Sequence, residues 1–206
     1  MQIHGHVRRW RSAAFALLMV AGTTAVARAE TWRVDPSHSK VSFKIRHLMI
    51  SNVEGRFTKF DASIQGDPGK PESAVVMATI DASSINTDDP KRDDHLRSPD
   101  FFEVAKYPTI TFKSKAIRNW KESSFEVVGD LTMHGVTKEV VLAVTDLTPE
   151  IKDPWGNAKR GMTATATLDR TDYGIVWNKA LEAGGVTVGN DVKITIELEI
   201  KKDKDS

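Results

Sequence analysis

The sequence predicts an all-β domain whose antiparallel strands close into a barrel, with one short helical insert. Three observations carry that prediction. Apolar and polar residues alternate with period two in segment after segment, set off by turn residues, with no long amphipathic helix between them. The segments run to about 8 to 11 residues, at the long end for strands. The last of them, 191–201, is the most cleanly patterned in the chain. Left as a free edge it would template pairing with other chains, and closure removes that hazard.

The elements follow in order. Residues 31–34 and 39–47 form a first strand broken by Asp35-Pro36-Ser37; within it Val41, Phe43 and Ile45 alternate with Ser42, Lys44 and Arg46. Residues 57–65 come next and end in Gly66-Asp67-Pro68-Gly69, a turn composition. Residues 74–82 are more continuously apolar, with Val75, Val76, Met77 and Ile80. In 109–117, Ile110, Phe112 and Ala116 share one register, and 124–132 with 136–147 read as a hairpin around Met133-His134-Gly135. In 161–168, Met162, Ala164, Ala166 and Leu168 alternate with threonines. Along the final strand Val192, Ile194, Ile196, Leu198 and Ile200 face one way. The count is about eight strands, and a barrel of that size either fills with side chains or holds one small ligand.

The rhythm stops in "KRDDHLRSPDFFEVAKYPTITF", residues 91–112. Asp89 can cap a helix that has Pro90 in its first position, so a helix from Pro90 to about Arg97 is predicted. Ser98-Pro99-Asp100 repeats the signal for a second short helical piece carrying Phe101 and Phe102. Pro108 pushes Tyr107 to extended geometry, which starts the next strand.

Residues 1–29 are expected to be a cleaved secretory signal peptide. Arg8, Arg9 and Arg11 form a basic start, an apolar run follows, and Ala27-Arg28-Ala29 fits the cleavage pattern. The remaining 30–206 is an ordinary length for one domain. Without the leader's four arginines the formal charge falls from +1 to −3, which argues against a nucleic-acid partner. The chain has no cysteine, so neither disulfides nor thiol chemistry enter.

Chemical constellations are thin. His95 lies three residues from Ser98 among acids, but capping already accounts for the serine, and no Gly-x-Ser-x-Gly elbow exists. His38, His47, His95 and His134 lack close metal-ligand spacing, so neither a metal nor another cofactor is expected. Ala183-Gly184-Gly185-Val186 lacks the Lys-Ser/Thr of a phosphate-binding loop. Trp155, between Pro154 and Gly156, is expected to fold onto the barrel as a loop anchor.

Four stretches then carry a resemblance: "VDPSHSKVSFKIRHLMISNVEGRF" (34–57), "DDHLRSPDFFEVAKYPTITF" (93–112), "GDLTMHGVTKEV" (129–140) and "TDYGIVWN" (171–178). Together they resemble the YceI-like family of periplasmic polyisoprenoid-binding proteins, over nearly all of the chain beyond the leader. The resemblance implies a lipocalin-like, eight-stranded antiparallel barrel. It also implies a hydrophobic tunnel for an isoprenoid chain, of polyprenyl or isoprenoid-quinone type, sequestered or carried in the periplasm without turnover. Candidate tunnel residues are Phe43, Ile45, Phe57, Ile110, Phe112, Val127, Leu131 and Trp177; the alternative for each is ordinary core packing. Candidate mouth or head-group residues are Arg92, His95, Arg97, Phe101 and Phe102. Transient membrane contact and a homodimer are compatible with this reading. The competing readings are an enzyme acting on a lipid or small acid through His95 or His134, and an interaction module with exposed loops.

Overall fold

The computed structural model describes residues 1–2, 29–67, 70–182 and 184–204. The expected signal peptide falls almost wholly outside them. In chain order the strands are β1 (Glu30–Val34), β2 (Lys40–His47), β3 (Ser51–Phe57), β4 (Phe60–Asp67), β5 (Lys70–Asp81) and β6 (Ile85–Asn86). After the helix α1 (Pro90–Arg97) come β7 (Thr109–Arg118), β8 (Phe125–Met133), β9 (Val136–Thr145), β10 (Ile151–Lys152), β11 (Ala158–Asp169) and β12 (Val188–Lys202).

Eight of these close a ring of antiparallel neighbours: β1, β4, β5, β7, β8, β9, β11 and β12, with β11 against β12 completing the circle. The long patterned final strand is what makes closure work. Along one side β12 pairs with β11 from Asp191 to Lys201. Along the other it meets β2 and then β1, which are two parts of one interrupted strand. The break lies at Asp35, whose carboxylate accepts from the Ser37 amide at 3.1 Å and caps a short 3-10 turn. Ser39 repairs the ladder there: its hydroxyl donates to the Glu199 carbonyl and accepts from the Glu199 amide at 2.9 Å. The hairpin at His134-Gly135 has positive φ at both residues, 52° and 75°, as a two-residue turn that follows the sheet's twist requires.

Two expectations are corrected. Residues 57–65 are not one strand, because Ser51–Phe57 is a strand of its own, paired with β2. The chain turns after Phe57, where the Thr58 amide and hydroxyl both donate to the Ser84 carbonyl. The alternation of β3 was masked by Gly55, which takes an inward position because the Phe43 ring lies over it. A Cβ on Gly55 would sit 2.4 Å from Phe43 Cζ. The second helical piece after Ser98 is a run of turns instead, with the Phe102 amide bonded back to the Leu96 carbonyl and Val104 to Arg97. The helix itself spans Pro90–Arg97, with the Asp89 carboxylate accepting from the Lys91 and Arg92 amides.

Strand direction gives the barrel two distinct ends. The insert, the His134 hairpin and the segment after β11 gather at one, the insert end; the start of β1 and the end of β12 mark the far end. Buried apolar residues form a cluster near each. Trp32, Phe112, Val127, Val144 and Met162 belong to the far-end cluster. Val41, Phe57, Ala82, Ile85 and Ile110 belong to the other, onto which Leu96, Phe102 and Val104 of the insert pack.

Candidate functional site

Strand pleating sends alternate residues inward, and here they surround a cavity of about 720 Å³ rather than filling the barrel. The reason is in the sequence. Opposite the bulky inward Ile194 and Ile196 of β12, strand β11 offers Ala166 and Ala164, and β4 and β5 add Ala62 and Ala78. Glycine shapes the wall as well: a Cβ on Gly129 would lie 2.5 Å from Phe112 Cζ, so its absence lets that ring lie flat. The inward alanines are the signal that could have distinguished a hollow barrel from a filled one.

All eight candidate tunnel residues, Phe43, Ile45, Phe57, Ile110, Phe112, Val127, Leu131 and Trp177, face this cavity. Arg92, His95, Phe101 and Phe102 face it too. Arg97 does not. Its guanidinium turns away to the carbonyls of Ser83 and Ile85, both at 2.8 Å, and to Asp94 at 3.0 Å, and so ties α1 to the edge of the sheet.

At the insert end three cavity-lining rings are in mutual contact. His95 lies 5.0 Å from Phe101 and 5.0 Å from Trp177, and Phe101 lies 5.2 Å from Trp177. The insert is held down by a buried polar knot: the Asp93 carboxylate accepts from the Thr87 amide and hydroxyl, and Arg92 donates to that same hydroxyl at 2.7 Å. Sequence reasoning missed Arg170, which is 4% exposed and also lines the cavity. It donates to the carbonyls of Gly189 and Ile175 at 2.9 and 2.6 Å, and burial pushes its pKa below the ordinary arginine value. No spacing pattern marks it, because its partners lie on a later loop and strand.

At the far end Arg160 stacks on Trp32, 5.7 Å from the ring centre, while Glu30 is ion-paired to Lys202. Trp120 stacks on Phe125 at 4.7 Å. Trp155, expected as an anchor, is instead 80% exposed, because its loop turns on Asp153 and not on the barrel wall.

The catalytic candidates are arranged for structure. The Ser98 hydroxyl donates to the His95 backbone carbonyl at 2.7 Å and accepts from the Asp100 amide, while the His95 ring contacts Asp100 at 2.8 Å. The serine is therefore not directed at the imidazole. His134 lies outside the cavity wall; its Nδ1 donates to the Tyr173 carbonyl at 3.0 Å, which fixes the tautomer. Asp35, His38 and Glu199 bring possible metal-ligand atoms within 4.8 Å of one another on the outer surface. The Lys159 ammonium already lies between the two carboxylates, 3.3 Å from Asp35 and 2.5 Å from Glu199, and supplies the cation there.

Comparison with known proteins agrees with this architecture. Residues 32–200 match the family model described as the YceI-like domain. The UPF0312 protein SAS2572 of Staphylococcus aureus strain MSSA476 is 42% identical over 166 residues, covering 80% of this chain and 94% of that protein. Among solved structures, Burkholderia cenocepacia BcnA superposes with a TM-score of 0.70 at 26% identity, covering 81% of this chain and 98% of BcnA. The Campylobacter jejuni YCEI protein gives 0.66 at 32% identity, covering 78% and 91%. A polyisoprenoid-binding domain from Saccharophagus degradans gives 0.60, covering 84% and 98%; at 16% identity that likeness speaks to the fold.

Proposed function

The chain belongs to the YceI-like family, and from that premise we propose that it is a lipid carrier which holds an isoprenoid chain inside the barrel and releases it unchanged. One observation carries the reading: an apolar cavity of about 720 Å³, walled by Phe43, Ile110, Phe112, Val127 and Leu131, where a stable barrel of this size could have been filled. The volume lies in the range of small-molecule sites. Each methylene withdrawn from water contributes about 0.8 kcal/mol, so a chain of several isoprene units needs an apolar enclosure and no catalytic group. The Saccharophagus degradans domain of the same fold, described as binding polyisoprenoid, supports the ligand class.

The leader-like residues 1–29 support export, and the proposal places the carrier in the periplasm, loading and unloading at a membrane surface. The test is organic extraction of purified protein followed by mass spectrometry, with uptake of added isoprenoids by emptied protein. An isoprenoid recovered in near-stoichiometric amount is the expected result. Protein that is reproducibly empty and takes none up overturns the reading. Cell fractionation of the full chain checks the compartment.

A further inference from the structure

The carboxylates lining the cavity are confined to one end. Glu30 and Asp67 sit at the far end, beside Arg160. The insert end has Arg46, His47, Arg92, His95 and Arg170 and no lining carboxylate. These groups are brought together by the fold. His47 pairs with Val188, whose carbonyl is 3.5 Å from the Arg170 guanidinium. Arg170 also holds the Ile175 carbonyl, and two residues on Trp177 packs against His95.

Arg170 is the group that structure alone does not explain. Its three acceptors are all neutral carbonyls, of Gly189, Ile175 and Val188. They satisfy its hydrogen bonds without neutralising it, and it makes no direct ion pair among the described residues, the adjacent Asp169 carboxylate acting on it only through space. Its neighbour Asp169 is occupied as a cap, accepting from the Thr171 amide at 2.8 Å and hydroxyl at 2.6 Å. A buried guanidinium without a carboxylate in direct contact is costly, and an anion brought beside it offsets part of that cost. Arg92, half-buried, is spent mainly on Thr87, with Asp89 3.9 Å away, and Arg46 donates to the Met49 carbonyl.

We propose that the insert end is an anion-binding head-group site centred on Arg170, and that the ligand is an acidic isoprenoid whose phosphate or carboxylate sits there while its tail runs toward the far end. This rests on the carrier reading above and adds the head-group class and the orientation.

Three ligands with one tail separate head group from tail: farnesyl phosphate, farnesoic acid and farnesol, with inorganic phosphate as a fourth arm. Binding is followed by calorimetry on the full-length mature protein. At least one acid is expected to bind about tenfold or more tighter than farnesol, with that advantage shrinking at high salt. Arg170→Gln should remove the advantage, read as the ratio of acid to farnesol affinity within the same variant. If circular dichroism shows that variant unfolded, Arg92→Gln is used instead, and should reduce the advantage several-fold. Equal binding of farnesol and both acids overturns the head-group proposal while leaving the carrier intact. Inorganic phosphate binding as tightly as farnesyl phosphate overturns the lipid assignment of the site. Failure of all three farnesyl ligands counts against the carrier reading itself.

Discussion

The rings of His95 and Trp177 meet edge to face, centroids 5.0 Å apart at 90°, and this contact joins the helical insert to the segment following β11 across one end of the cavity. Contacts of this kind contribute about 0.5–1.5 kcal/mol beyond the area they bury. Trp177→Ala is therefore expected to speed amide exchange in α1 about fivefold, since roughly 1 kcal/mol corresponds to such a factor. The barrel strands β7, β8 and β9 should exchange as before. Uniform acceleration throughout the chain would mean the ring cluster is part of the global core, not a local closure.

Asp93 is the deeper fastening. Its side chain is 5% exposed and accepts from both the amide and the hydroxyl of Thr87, which in turn accepts from Arg92. Asp93→Ala leaves the buried amide and hydroxyl of Thr87 without their acceptor, a loss of about 2–3 kcal/mol. Denaturant titration should show a lower midpoint of that size, with Asp93→Asn recovering part of it through its amide oxygen. A change within a few tenths of a kcal/mol would remove the insert from any role in stability.

These two contacts show what could be read from sequence. The helix from Pro90 to Arg97 was legible because its cap is local: Asp89 and Pro90 sit at its first turn. The inward row of β12 was legible because period two is a direct consequence of pleating. Strand β3 was hidden by Gly55, whose lack of a side chain is itself a packing choice made for Phe43, two strands' registers having to be known first. Arg97 carries the composition of a mouth residue, but its direction follows from carbonyls at Ser83 and Ile85. Arg170 has no local signature at all, since its environment is assembled from residues 175, 188 and 189.

Tyr173 makes a prediction about alkaline pH. It is 2% exposed, its hydroxyl has no hydrogen-bond partner among the described residues, and burial pushes its pKa up to about 12 from an ordinary 10.0. The folded state thus holds a proton that the unfolded state releases first. Stability is full below pH 10.0 and is lost as pH rises toward about 12. Tyr173→Phe should flatten that decline and, because it removes an unpartnered hydroxyl, should be neutral or stabilising at pH 7. Thermal melts of both proteins between pH 8 and about 12 decide it; parallel curves would show that the decline has another source.

Asp35 acts in the opposite direction. The Ser37 hydroxyl first, then His38, hold its carboxyl far below the ordinary 3.8, with Lys159 adding to them. The stability it contributes is present above pH 3.8 and fades as pH falls from there toward the depressed folded value. Asp35→Asn is expected to be less stable than the parent at neutral pH and to approach it as acid is added. A stability difference that stays constant down to pH 2 would exclude this titration as the cause.

The hollow barrel itself can be tested by filling it. Ala164 is 5% exposed, faces the cavity at mid-barrel and pairs with Ile196 on one side and Val144 on the other. In a packed core a large residue at such a position costs about 1–3 kcal/mol through forced rotamers and displaced backbone. Here the added ring has empty space on its inner side, so Ala164→Phe should fold with a midpoint close to that of the parent, or above it through new dispersion contacts. The same ring obstructs the tunnel, and isoprenoid uptake should fall at least about tenfold, the equivalent of 1.4 kcal/mol. Ala143 provides the control, because it lies on β9 beside the barrel wall without lining the cavity, paired across to Thr165. Ala143→Phe should leave uptake unchanged. A folded Ala164→Phe variant that binds isoprenoid as well as the parent would place the ligand elsewhere on the molecule, and would return the cavity to the status of a packing defect.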